Sequence, residues 1–398
     1  MRAILSFFAF LGGYTLSQFF RSFLAVIAPE LSHDLALDPQ ILGNLQASWL
    51  IAFSLMQFPV GFALDLIGPR RTVLGTMLFA VIGAVLFAYA TSATMLIVAM
   101  ALIGIGCSAV YMGALFVFAR IFPVQRFALL GSWLIGIGSA GNLLAATPFG
   151  WLATTIGWRA SVLVATGLLV AAIIFIGLFL KDPPHVHHDA PSGFWRGLGE
   201  ILSVRALWPL IPIASISYAT LLAERGLWAG PYFASVHGLD PVQRGNALLI
   251  MAAAMSVGAL AYGPLDRILK SRKWITIIGT LITAASFFWL GYGAPSKVEA
   301  TILLALIGAF GITYGVLMAH ARQFFPAHLL GRGLTLMNML FIGGAGIMQP
   351  ISGAFMKAQA DAPPLEAYAA LHQSFALALV ISVAIYLFSQ ENPRSEGK

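Results

Sequence analysis

Residues Gly61-Phe62-Ala63-Leu64-Asp65-Leu66-Ile67-Gly68-Pro69-Arg70-Arg71 stand between two long apolar runs, 41–64 and 72–92. One carboxylate and two guanidinium groups sit at the junction, and the flanking runs carry almost no charge. A hydrocarbon core about 30 Å thick is crossed by roughly 20 apolar residues of helix. Backbone groups in lipid must pair within their own segment, so each run reads as a membrane helix and the charged junction as its polar turn.

The same reading extends in both directions. Apolar runs are expected to span near 4–29, 41–64, 72–92, 95–119, 128–153, 160–180, 206–235, 246–266, 274–293, 300–321, 333–356 and 368–389. They carry too few alternating polar residues for the strands of a barrel. The run from Met1-Arg2 to about Pro29 is too long for the apolar stretch of a typical signal peptide and is expected as the first span. Of 398 residues, 59% are hydrophobic and only 9% charged, and the mean hydropathy is +0.88. Soluble domains carry roughly 25% charged residues, so this chain could not cover a soluble fold with polar surface. Twelve spans and short loops use nearly the whole length, which leaves no separate soluble domain. The single cysteine, Cys107, lies in an apolar run, so no internal disulfide and no cysteine-based metal cluster is expected.

The net charge of +7 is a matter of topology. If the termini and the even-numbered loops share one side, that side holds Arg2, Arg70, Arg71, Arg120, Arg126, Lys181, Arg196, Arg205, Arg267, Lys270, Arg272, Lys273, Arg322, Arg332, Arg394 and Lys398, sixteen of the 22 basic residues. The other side holds Arg159, Arg244, Lys297 and Lys357. The positive-inside rule makes the first side cytoplasmic. A cell (inner) membrane protein with both termini cytoplasmic is expected, and no nucleic-acid partner. The longest linker, about 181–205, divides the chain into halves at 1–180 and 206–398. It contains His185, His187 and His188, but no further ligand cluster is near in sequence, so a solvated linker is expected rather than a metal site.

The halves repeat. Pro29 and Pro231, Arg120 and Arg322, Gly131 and Gly333, Gly141 and Gly343, and Pro148 and Pro350 are each 202 residues apart. Asp65 and Asp266 are 201 apart, and Arg21 and Arg225 are 204 apart. Six spans separate the partners, so the repeats run in the same sense through the membrane, an arrangement that places substrate near the midplane. The junction quoted above, with its glycine, aspartate four on, second glycine and basic residues, resembles the signature of the major facilitator superfamily. Asp266-Arg267 and Arg272-Lys273 form a degenerate second copy. The resemblance covers essentially the whole chain. It implies an all-α integral membrane fold of two parallel six-helix bundles, no catalytic activity, no cofactor and, by the family's default, a monomer. It also implies a gating role for Asp65, Arg70, Arg71 and Asp266. The arginine that many drug–proton antiporters of the family carry before the Gly-x-Gly of span four is absent from Met100-Ala101-Leu102-Ile103-Gly104-Ile105-Gly106.

Three acidic or basic residues lie well inside spans: Arg21, Glu224 and Arg225. A charge at that depth costs roughly 2.5–3.5 kcal/mol on the insertion scale, so it normally faces a cavity or a partner. Arg21 and Arg225 hold pseudo-equivalent places on spans one and seven. The resemblance puts both on the substrate path, where two guanidinium groups would grip an anion. A structural pair of Glu224 with Arg21 or Arg225 is the other reading. Glu224 is the candidate proton-coupling carboxylate. Adjacent helical residues point about 100° apart, so Glu224 and Arg225 do not share a direction. Tyr14 and Gln18 fall on the helical face of Arg21. Tyr218 and Trp228 flank Arg225, with Tyr111, Tyr314 and Asn338 as further substrate-binding candidates. Gln46, Trp49, Gln57, Trp133, Asn142 and Gln349 are polar or aromatic side chains on other spans expected to line the cavity, and His320 is expected to be structural. The word Gly226-Leu227-Trp228-Ala229-Gly230-Pro231-Tyr232 is expected to loosen span seven. The leading expectation is a secondary active transporter of a small organic anion (carboxylate or organophosphate), working by rocker-switch alternating access, with proton coupling open. The alternative is a proton-coupled exporter of hydrophobic or cationic compounds using Glu224.

Overall fold

A computed structural model describes residues 2–121, 124–180, 203–269, 271–325 and 330–390. The described residues are helical throughout, with no strand among them. Nine stretches among them are long and apolar enough to cross a bilayer. One of these, Trp133–Phe179, is two spans joined at Gly157, whose φ of 80° breaks the helix. Spans one and two complete the twelve, as Arg2–Ser22 with Leu24–Leu35, and as Pro39–Leu66. Large apolar side chains such as Leu78, Ile82, Leu168, Leu178, Leu260 and Phe288 stand on outer faces. In water such a surface would drive association; against acyl chains it is the surface the solvent requires.

Contacts divide the chain into two compact units. One holds the described residues up to 180 together with 225–234 and 238–249. The other holds 203–224, 235–237 and 250–390. The second half thus lends two segments to the first unit.

Within the first unit, the junction between spans two and three turns at Gly68 (φ 96°), a left-handed conformation that a side chain would strain. Pro69 then opens the helix Pro69–Ala88. Arg70 Nη2 donates to the Gly177 carbonyl at 2.7 Å, capping the last turn of span six with a positive charge. The lent segments are held closely. Pro29 has no N–H for the Ala25 carbonyl, and Gly230 packs there, so that a methyl at Gly230 would lie 1.7 Å from that oxygen. Arg244 is buried and donates to Glu30, to the Val26 carbonyl and to the Leu239 carbonyl (3.1 Å each for the two carbonyls). Thr147 donates to Asn246 at 2.7 Å.

Within the second unit, Leu210, Ile213 and Ala214 of span seven pack with Met337 and Phe341 of span eleven and with Val383 and Tyr386 of span twelve. Arg272 donates to the Ala319 carbonyl, and Lys273 donates to the Leu387 and Ser389 carbonyls. These basic residues sit 202 positions after Arg70 and Arg71, and like Arg70 they cap helix ends.

The sequence repeat is also a packing repeat. A methyl at Gly104 would lie 2.3 Å from the Trp49 carbonyl oxygen, and a methyl at Gly308 would lie 2.7 Å from the Met251 carbonyl oxygen. The glycines are 204 apart and their partners 202 apart. Each unit therefore packs its second and fourth helices backbone to backbone at the same point, which only a residue without a side chain permits.

Candidate substrate site

Helical spacing puts Tyr14, Gln18 and Arg21 on one face of span one, and the structure connects them. Gln18 Nε2 donates to the Tyr14 hydroxyl. The Tyr14 ring lies 5.3 Å from that of Tyr111 on span four. Gly138 of span five makes room for it, since a methyl there would fall 2.2 Å from the ring. Arg21 rests over two aromatic rings of span two, Trp49 at 5.2 Å and Phe53 at 5.4 Å. Those rings are themselves stacked 5.1 Å apart. Cation–π contacts of this kind contribute roughly 0.5–2 kcal/mol, more when desolvated. They steady the guanidinium without neutralising it. Among the described residues no carboxylate comes within ion-pair distance of Arg21, and its buried Nε has no hydrogen-bond partner.

Arg225 belongs to the same unit and is buried, at 6% exposure. It lines a small cleft with Ser22, Asn142, Ala145, Ala146 and Leu248. Ser22 donates to Asn142 there at 2.9 Å. Gln46 links the two arginine-bearing backbones. Its Nε2 donates to the Arg21 carbonyl at 2.9 Å, and a methyl on Gly226 would lie 3.3 Å from that same nitrogen. Glu224–Trp228 is wound as a single π turn, which places Arg225 and the buried Trp228 in the non-standard part of span seven. Wide turns of this kind mark functional positions in helices.

The second unit carries a matching aromatic pair. Tyr218 and Tyr314 lie 5.7 Å apart, both against Phe341, and Tyr314 Oη donates to Asn338 Oδ1 at 3.2 Å. Tyr218 follows Tyr14 by 204 residues and Tyr314 follows Tyr111 by 203. The tyrosine pair is thus repeated between the first and fourth helices of each half, a correspondence the sequence contains but which shows its meaning only when both pairs are seen in contact. In this unit Glu224 is fully buried, and its Oε2 lies 3.2 Å from His372 Nε2 on span twelve. The partner found for Glu224 within its unit is therefore an imidazole. His372 is absent from the sequence candidates, and the one signal for it was a histidine at the fifth position of the run 368–389.

Other expected residues are placed elsewhere. Trp133 is half exposed. His320 is buried, in contact with the Tyr386 hydroxyl and the Gln390 carbonyl, as a structural residue would be. Of the gating candidates, Arg70 caps span six and Arg71 is exposed. The side chains of Asp65 and Asp266 lie outside the described residues, as do the linker histidines His185, His187 and His188. No cluster of metal-ligating side chains occurs among the described residues.

A sequence profile described as the Major Facilitator Superfamily matches residues 10–348. The chain belongs to that superfamily. It is a membrane transporter rather than an enzyme. Monocarboxylate transporter 13 of Rattus norvegicus is 27% identical over 331 residues, covering 77% of this chain and 73% of that protein. A putative niacin/nicotinamide transporter of Bacillus subtilis is 22% identical over 391 residues, covering 94% and 92%. Among solved structures, a bacterial homologue of the human lysosomal transporter Spinster, described as inward-facing and occupied, superposes with a TM-score of 0.80 at 17% identity, covering 96% of each chain. That likeness is one of fold.

Proposed function

We propose that this facilitator is a secondary active transporter of a small organic anion, a carboxylate or organophosphate, with Arg21 and Arg225 as its anion-binding groups. The observation that carries the reading is Arg21, half-buried on Trp49 and Phe53 with no carboxylate among the described residues to neutralise it. A desolvated guanidinium in that condition stabilises an anion more than a cation or a neutral solute. A relative named for monocarboxylates, and the niacin part of one named for niacin/nicotinamide, fit the same chemistry. Tyr14, Gln18, Tyr111 and Trp228 in the first unit, and Tyr218, Tyr314 and Asn338 in the second, are proposed to contact substrate through rings and hydrogen bonds. Glu224 is proposed as the proton-coupling group. Asp65, Arg70, Arg71 and Asp266 are proposed to gate a rocker-switch cycle. Both termini are proposed to face the cytoplasm, on the distribution of the basic residues counted above, and the carrier is proposed to work as a monomer in the cell membrane.

The test is thermal stabilisation of purified protein by L-lactate, nicotinate, sulfoacetate and glycerol phosphate, against neutral and cationic controls. A ligand at about 100 times its Kd stabilises by about 2.7 kcal/mol. Anions alone should raise the melting temperature, and Arg21→Gln and Arg225→Gln, each still folded, should abolish the shift. A shift produced by cations or neutral compounds, or an anion shift surviving loss of both arginines, refutes the proposal.

A further inference from the structure

Glu224 and His372 have no side-chain exposure, and their facing atoms are 3.2 Å apart. Neither carboxylate oxygen of Glu224 has a hydrogen-bond donor in good geometry among the described residues. Two ionisable groups so placed cannot hold arbitrary charge. With one proton between them the pair is neutral overall, whether as carboxylic acid and imidazole or as carboxylate and imidazolium. Without that proton it carries one buried negative charge, and with a second proton one positive charge, each costly in a low dielectric. Such a pair exchanges protons as a unit, with macroscopic titrations that belong to both residues.

We propose that the Glu224–His372 pair is the proton-binding site of the transport cycle, and that it loads one proton with one monovalent anion. The inference rests on the anion reading above. The charge count supports the stoichiometry. Arg21, Arg225 and the proton-free pair sum to one positive charge. Adding a monoanion and a proton leaves that sum unchanged, so the empty and loaded carriers present the same charge to the bilayer. The proton comes from water on the loading side, binds the Glu224 carboxylate facing the His372 imidazole with no other bond made or broken, and leaves on the opposite side with the anion. Glu224 and Arg225 are successive residues of one π turn.

The surroundings contain few competitors. Tyr368 on span twelve is within electrostatic reach of Glu224 and hydrogen-bonds Ser235. Phe287 of span nine and Tyr368 lie beside the imidazole, with ring centroids at 6.0 and 6.3 Å. On span ten, Tyr314 bonds Asn338 and His320 contacts Tyr386, itself on span twelve. Arg272, Lys273, Tyr292, Lys297, Glu299, Lys357 and Glu366 are at the ends of their helices. His372 and Tyr368 are thus the titratable side chains facing Glu224 from span twelve.

The experiment has two arms. Infrared pH-difference spectra of the substrate-free protein read the carboxyl C=O band of Glu224, isolated by subtracting Glu224→Gln. In wild type the band should appear on acidification, and its midpoint should move in His372→Gln. His372→Asn is made in parallel, so that a folding failure of one variant leaves the other. In proteoliposomes, an imposed pH gradient should drive accumulation of labelled nicotinate or L-lactate in wild type but not in Glu224→Gln reconstituted with an equal amount of folded protein. A Glu224 band that does not titrate, a midpoint unmoved in both His372 variants, or gradient-driven accumulation surviving in Glu224→Gln overturns the proton site. If neither anion binds or moves in wild type, the anion reading falls instead, and the infrared arm still decides the pair.

Discussion

Breaking the contact between Arg244 and Glu30 should cost different amounts depending on which partner is removed. The Arg244 side chain is 4% exposed and the Glu30 side chain 33%. Replacing Glu30 with Gln leaves a guanidinium sealed in the protein with two carbonyl acceptors and no counter-charge. An uncompensated buried charge of that kind costs about 3–5 kcal/mol. Replacing Arg244 with Met leaves a carboxylate that can hydrate through its exposed third, and two carbonyls without this donor, so the loss should be nearer 1–3 kcal/mol. The double variant Glu30→Gln/Arg244→Met removes the stranded charge and should be more stable than Glu30→Gln alone, with a coupling energy of at least about 1.5 kcal/mol. The assay is unfolding by SDS in mixed micelles, followed by tryptophan fluorescence, for wild type, both single variants and the double. If Arg244→Met is the more damaging single change, or the two losses simply add, the pair does not hold this part of the first unit as described.

Trp49→Ala removes one of the two rings beneath Arg21 and should weaken binding of whichever anion stabilises wild type by roughly 2- to 30-fold, the equivalent of about 0.5–2 kcal/mol; an unchanged affinity in a titrated melting curve would refute the role of the cushion. Gly230→Ala must displace the Ala25 carbonyl and should lower the melting temperature, whereas Gly12→Ala, with nothing within 4 Å, should be neutral or slightly stabilising; equal melting temperatures would refute the close approach. Asp34 lies in the last turn of the helix Leu24–Leu35, beyond the apolar run 4–29. Its carboxyl is held below the ordinary value of 3.8 by the Trp158 indole N–H and then by Arg159, against some opposition from burial. A folded-state pKa depressed below the unfolded one adds stability that is present above pH 3.8 and lost as pH falls through the lower value. Asp34→Asn should therefore remove part of the acid-induced loss of stability below about pH 4, and an identical acid limb in wild type and variant would count against it.

Much of the fold was legible because lipid leaves the chain little choice. An apolar run of about 20 residues in a bilayer is a helix, and the offset of 201–204 between the halves marks a repeat before any contact is seen. The same holds for the local part of the site. Tyr14, Gln18 and Arg21 share a face by helical spacing alone, and their connection follows from it. Tyr14 and Tyr218 were each candidates, but that each packs against the tyrosine of a fourth helix depends on the close packing of helices within each unit, which composition does not encode.

What the sequence by itself determined is therefore the membrane, the helices, the repeat and the rarity of charge inside the spans, since each depends on solvent and on neighbours along the chain. Tertiary structure alone decided which distant groups meet. Glu224 faces His372, 148 residues away, and Arg244 faces Glu30, 214 residues away, while segments 225–234 and 238–249 pack with the first unit rather than with the rest of their own half. No periodicity joins such residues. Their pairing is set by which helix faces dock, and in lipid that choice is made by close-packed glycines and by the need of each buried charge for a partner.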